Sequence, residues 1–210
     1  MELLDPVDVR VLGALIEKEA TTPEYYPLSL NALINACNQK SNRYPIVDYD
    51  ENTVRAAIER LRSKRLAMVI IGNGRVTKYS QSISEHLNLG RRELAALCTL
   101  LLRGPQTLGE IKDRSERIFS FADLEETDRV LEKLAEWPSG PLATKLPRQP
   151  GQKEARYAHL LAGQPDPDAL PEALSPAPGK LAQLETEVSE LRSELTDLKR
   201  RFEELEALLR

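Results

Sequence analysis

Two histidines, two cysteines and scattered carboxylates are what this sequence offers for catalysis or metal binding. His86 and His159 stand far apart, and neither has a Cys, His or acidic neighbour at the short spacing by which a helix or turn presents two ligands to one ion. Cys37 and Cys98 each fall on the apolar stripe of a helical pattern and read as small core residues. Gly72-Asn73-Gly74 precedes a β-prone run rather than a helix, so it reads as a turn and not a phosphate loop. The acidic residues sit at helix starts and on polar faces. These patterns predict a non-enzyme with no metal and no cofactor.

A different chemistry is open to the basic and amide side chains. Lys40, Asn42 and Arg43 close a polar run; Asn52, Arg55 and Arg62 share a helical pattern; Arg75 and Lys78 flank a strand-like run. Lysine and arginine neutralise phosphates, and an asparagine on an exposed helix face can pair with an adenine edge. These eight residues are the candidate contacts to double-stranded DNA, with Asn52 as base reader. Glu59 lies in the middle of the same face and opposes phosphates. A mixed-charge solvated surface is the bland alternative for each of them.

The elements that must position these residues follow from apolar period and caps. Asp5-Pro6 starts a helix with stripe Val9, Leu12, Leu15 and Ile16, running to about Ala20. Ser29 caps a second, with stripe Leu30, Leu33, Ile34 and Cys37. Asp50 caps a third, Asp50–Arg65, burying Val54, Ile58 and Leu61; Tyr49 and Val54 have the spacing of a hydrophobic staple. A 100° step per residue then turns Asn52, Ala56, Glu59, Arg60 and Ser63 outward. Leu66–Ile71 and Val76–Ser80 flank Asn73-Gly74 as a β-hairpin. Three helices and a hairpin are the order of a winged helix.

The order then repeats. Leu94, Leu97, Cys98 and Leu101 form a stripe, Thr107 and Glu110 form a capping box, and Asp123 caps a helix burying Val130, Leu131 and Leu134. Leu142–Leu146 and Ala155–Leu160 flank Pro150-Gly151. The paired caps lie 78 and 73 residues apart, as a duplication with a five-residue insertion in the first copy requires. The predicted fold is mainly α with small β-hairpins (α+β): winged-helix domains at 1–83 and 84–162, a proline-rich linker at 163–179 and a coiled-coil helix at 180–210.

The linker has five prolines in 17 residues and reaches about 50 Å if it is mostly polyproline II. Beyond it Leu181, Leu184, Val188, Leu191, Leu195, Leu198, Phe202, Leu205 and Leu209 alternate by three and four. In a parallel homodimer Glu187, Glu194 and Arg201 face Arg192, Lys199 and Glu206 of the second copy, all opposite in sign. A homodimer is therefore expected. A trimer, a heteromeric partner helix, or a solvated helix folded back on the body are the alternatives.

The chain has 210 residues and a net charge of −4. Residues 163–210 account for the deficit, with 6 basic against 11 acidic side chains, while 1–83 and 84–162 are within one charge of neutral. No polycation field draws the whole chain to nucleic acid. The third helix of the second copy, with six acidic residues against Arg129 and Lys133, is unsuited to a groove; that domain either docks a protein partner, touches a DNA backbone through its basic hairpin, or carries leftover charge on a solvated face. Its hairpin carries Lys145, Arg148, Lys153 and Arg156. Two cysteines exclude a disulfide scaffold. No apolar run reaches the roughly 18 residues of a membrane span, and the start lacks a signal peptide's basic region, so no membrane association and a cytoplasmic location are expected.

Thr21–Ser29 and the run Leu33-Ile-Asn-Ala-Cys-Asn-Gln-Lys-Ser-Asn-Arg43 resemble the bacterial YceH family, as do Gly104–Glu110, Leu146–Gly151 and Arg156–Leu160. The resemblance spans roughly 1–162. It implies tandem winged helices, cytoplasmic, often followed by a coiled coil, and it brings no functional residues with it. On the residues themselves two functions compete: a dimeric DNA-binding protein of the transcriptional-regulator type, and a non-enzymatic adaptor similar in plan to the tandem winged-helix subunits of bacterial condensins.

Overall fold

A computed structural model describes residues 2–71, 76–148 and 152–165. The Asn73-Gly74 turn, Arg75, Pro150-Gly151, most of the proline-rich segment and all nine heptad positions lie outside the described residues.

Local signals set the helix starts. α1 (Pro6–Thr21) begins at Asp5, whose carboxylate accepts from Asp8 N at 2.7 Å while proline occupies the first turn. α2 (Leu30–Cys37) is capped by the Ser29 hydroxyl, and α3 (Glu51–Ser63) by Asp50, which accepts from Thr53 N at 2.7 Å. α5 (Arg91–Arg103) starts at Gly90. α6 (Leu108–Ser115) opens with a complete capping box between Thr107 and Glu110, and α7 (Leu124–Ala135) with Asp123. Each of these side-chain caps, which α5 at Gly90 lacks, satisfies an amide that a helix start would otherwise leave unpaired.

Two small antiparallel sheets complete the mixed α/β architecture. β2 (Ala67–Ile70) and β3 (Lys78–Gln81) pair in register Val69 with Tyr79, and β5 (Ala143–Lys145) and β6 (Arg156–His159) in register Thr144 with Ala158. Each sheet has a third strand, two residues long, that neither apolar period nor caps predict. β1 (Leu28–Ser29) pairs with β3, and β4 (Gln106–Thr107) with β6, giving orders β1-β3-β2 and β4-β6-β5. A short α4 (Ile83–Leu87), also unexpected, joins the two series of elements. In α2 the buried positions are Leu33, Ala36 and Cys37, with Leu30 and Ile34 only partly covered.

One continuous core spans both series. Leu12, Leu15, Ile16, Leu33, Ile58 and Leu61 join Leu97, Leu100, Ile111 and Leu131 in a single buried cluster. Its seam is the packing of α1 on α5, close enough at Gly13 that an added Cβ would sit 2.8 Å from Leu102 Cδ2. Backbone bonds cross the seam as well: Leu4 N donates to Leu161 O and Tyr44 N to Leu102 O, both at 2.8 Å. All described residues fall within one compact unit, Met1–Ala169. No described helix is long and apolar enough to cross a membrane.

Candidate nucleic-acid interface

Residues 38–49 connect α2 to α3, and two buried arginines hold them. Arg10 of α1 is almost wholly buried and donates to the carbonyls of Cys37, the last residue of α2, and Pro45, within the connection. Arg43 points inward from the connection itself, with its side chain at 0% exposure. Its guanidinium clasps Glu17 of α1 in a two-pronged pair, Nη1 to Oε1 at 3.0 Å and Nη2 to Oε2 at 2.6 Å, and it also donates to Ala36 O and Gln39. Burial alone would raise the Glu17 carboxyl, but the bonds and charge of Arg43 hold it below its ordinary value. Asn38 adds a side-chain bridge, accepting from Tyr49 N and donating to Tyr49 O, both at 2.9 Å.

Arg43 is therefore corrected as a candidate phosphate contact, because a guanidinium sealed against Glu17 and Ala36 cannot reach a ligand. Its polar neighbours made the run look solvated, and only the approach of α1 brings Glu17 to it. Lys40 and Asn42 are exposed at the tip. Asn42 has a left-handed backbone (φ 60°), which asparagine tolerates, and its side-chain carbonyl accepts from Arg103 of α5.

On α3 the residues Asn52, Arg55, Ala56, Glu59, Arg62 and Ser63 are exposed, on the face opposite Val54, Ile58 and Leu61. Arg60 leaves this face. It reaches the start of α1, pairing with Asp5 at 2.7 Å and with the buried Asp8 at 2.8 Å. Arg55 pairs with Glu51 at 2.8 Å and Arg62 with Glu59 at 2.7 Å along the same helix. Lys40 and the exposed Lys78 on β3 form no ion pair among the described residues. The face thus brings Asn52, Arg55 and Arg62 together on one helix, and it is less positive than the sequence count implies.

The β2–β3 sheet carries a feature the sequence reading did not single out. Met68, Ile70, Ile71 and Val76 are exposed large apolar residues on or beside these strands. The alternation of Met68 and Ile70 with inward Ala67 and Val69 was the available signal.

In the second series, α7 keeps its acidic surface. Glu125 pairs with Arg129, Glu126 with Arg92, and Lys133 reaches the buried Glu93 at 2.7 Å. Arg156 is drawn inward to Pro105 O and Glu110 at 3.0 Å. Lys145 lies over the Tyr157 ring at 5.3 Å, and together with Arg148 and Lys153 it lines an open groove of about 410 Å³ floored by Leu108, Leu124 and Tyr157.

Among the described residues no three His, Cys, Asp or Glu side chains converge as a metal site. Cys37 and Cys98 are both buried thiols; burial pushes Cys37 up to about 12 and Cys98 upward as well. His86 is exposed, and burial pushes His159 down to about 4, with its Nδ1 lacking a partner.

Residues 4–152 match the family model described as "Protein of unknown function, DUF480". A UPF0502 protein of Solibacter usitatus is 52% identical over 205 residues, covering 95% of this chain and 98% of its own. One from Pelobacter propionicus is 52% identical over 208 residues, covering 94% of each. One from Aeromonas hydrophila is 48% identical over 218 residues, covering 98% of this chain and all of its own.

Proposed function

The chain belongs to the DUF480 family, and from that premise we propose that it is a tandem winged-helix protein of the DNA-binding type, non-catalytic and dimerised by its C-terminal heptads. The repeated order of three helices and a hairpin, with a short strand before each second helix closing the sheet, supports the tandem winged-helix reading. The domains run 1–83 and 84–162, followed by the linker at 163–179 and the coiled coil at 180–210.

The observation that carries the DNA reading is the exposed face of α3, where Asn52, Arg55, Ala56 and Arg62 lie together without covering structure among the described residues. The ion pairs of Arg55 and Arg62 do not remove these side chains from use. Exposed pairs along a helix are worth only a few tenths of a kcal/mol, so a phosphate can replace Glu51 or Glu59 as partner. Lys40, Arg55, Arg62, Arg75 and Lys78 supply backbone contacts and Asn52 the base contact. Two weak heads joined by a coiled coil then gain affinity by avidity.

Fluorescence anisotropy of a mixed-sequence duplex, titrated with full-length protein at low and physiological salt, tests this. Micromolar binding that weakens steeply with salt is expected, and Lys40→Ala or Lys78→Ala lowers the salt slope by about one each. No binding at low salt overturns the backbone-contact reading. The adaptor function then takes its place, and the exposed Met68, Ile70, Ile71 and Val76 are what favour it.

A further inference from the structure

The two sheets end in different ways. β1 and β4 are two residues each, and β5 carries Lys145 opposite Tyr157, a charge of the kind that keeps an open strand from pairing with another chain. β2 stands at the same place in the first sheet, and its residue opposite the equivalent Tyr79 is Val69. From Leu66 to Ile71 the chain holds no charge and no proline. β3 covers one side of β2, and among the described residues no strand covers the other. Met68, Ile70 and Ile71 are 44%, 38% and 84% exposed along it. An open edge beside apolar side chains suits a strand as partner, since a strand meets both the backbone groups and the surface next to them.

Backbone alternation sets how that strand lies. Ser82 N donates to Leu66 O at 3.0 Å, so Leu66, Met68 and Ile70 turn their backbone groups toward β3, and Ala67, Val69 and Ile71 turn theirs outward. Gln81, opposite Ala67, fits the same alternation: its N–H faces away from β2 and donates to the Tyr26 hydroxyl. Ala67 is buried, which leaves Val69 and Ile71 as the open pair. We propose that this edge pairs antiparallel with the same edge of a second copy, Val69 against Ile71 of that copy and Ile71 against its Val69. The register is its own two-fold mate, so one arrangement satisfies both edges. Both outward residues exchange backbone bonds, and Ile70 falls directly opposite Ile70 of the second copy, at a non-hydrogen-bonded position with Cα atoms about 4.5 Å apart. The contact takes far fewer than the roughly 20–30 residues per side of a stable interface. At micromolar concentration it therefore rests on the proposed tail dimer to hold the copies together. The paired edges then fix one two-fold relation between the heads.

Cysteine cross-linking of the full chain, whose own Cys37 and Cys98 are buried, tests the register. The Cα separation at Ile70 lies within the range of about 4.4–6.8 Å that a disulfide spans. Under mild oxidation Ile70→Cys should therefore give a covalent dimer at least tenfold faster than Lys145→Cys at the equivalent edge. It should also outpace Met68→Cys, which this register holds away from its own mate. Cross-linking of Ile70→Cys no faster than Lys145→Cys overturns the pairing and leaves the edge to a strand of another protein. Light scattering on the parent separates this from the tail: a dimeric parent without the Ile70→Cys cross-link loses the strand pairing alone. A parent monomeric at micromolar concentration loses the heptads alone, and the strand pairing then stands or falls on cross-linking at about 1 mM chain, the range a flexible tether supplies. Hydrogen exchange of the parent covers a variant that does not fold. The Ile71 amide has no partner among the described residues, and at about 1 mM chain it should exchange at least tenfold more slowly than an unstructured amide. Unprotected exchange there overturns the pairing equally.

Discussion

Replacing Arg43 by methionine keeps the apolar stem and removes the guanidinium, leaving Glu17 with its second cation, Lys18, at 3.4 Å. The carboxylate is only 12% exposed, and Ala36 O loses two donors at the same time. Breaking a buried pair from one side costs about 3–5 kcal/mol, because the remaining charge stays desolvated. For a folded unit of this size that corresponds to a midpoint lower by about 6–20 °C. The pH dependence gives the sharper test. In the parent, Glu17 titrates below its unfolded value, so its contribution is present above the ordinary carboxylate range and is lost as pH falls through the folded value. In Arg43→Met burial is left to dominate and raises the carboxyl. Charging it then costs stability as pH rises through the raised value. The gap between parent and variant should be small near pH 4 and full at pH 8. Urea unfolding, followed by circular dichroism and by the fluorescence of the single tryptophan, Trp137, measures it at both pH values. Arg43→Met combined with Glu17→Leu should recover most of the loss. A variant within about 0.5 kcal/mol of the parent at pH 8, or a gap that does not change with pH, refutes the reasoning. Full stability with lost duplex binding would return Arg43 to the phosphate contacts.

Other outcomes follow from the same structure. Gly13→Ala places a methyl against Leu102 and Leu101 at the α1–α5 seam; overpacking should outweigh the gain in helix propensity and cost about 1–2 kcal/mol in chemical denaturation, and a stabilised variant would show that the helices separate freely. His159 is held down at about 4 against 6.5 unfolded, so stability is lost as pH falls between those values. His159→Gln should flatten that part of the profile by about 1–3 kcal/mol, and an unchanged profile would remove this histidine from the acid response. Deleting residues 180–210 should turn a dimer into a monomer by light scattering; a dimer that persists would place self-association in the remaining chain.

What the sequence determines alone is whatever acts within about four residues. Asp5, Ser29, Asp50, Thr107 and Asp123 all cap the helices they were expected to cap, because a side chain bonding an amide three positions on needs no distant partner. The apolar face of α3 and its exposed Asn52, Arg55 and Arg62 follow from the helical period in the same way. Tertiary structure decided the rest. β1 and β4 are two residues each and exist as strands only because β3 and β6 pair with them. The direction of Arg43 depends on Glu17, 26 residues away, and that of Arg60 on Asp8, 52 residues away. Arg103 forms no ion pair among the described residues, because Glu17 of α1 and Glu110 of α6 pair with other cations. A buried charge is governed by whatever surrounds it, and those surroundings are assembled from segments that no local window contains together.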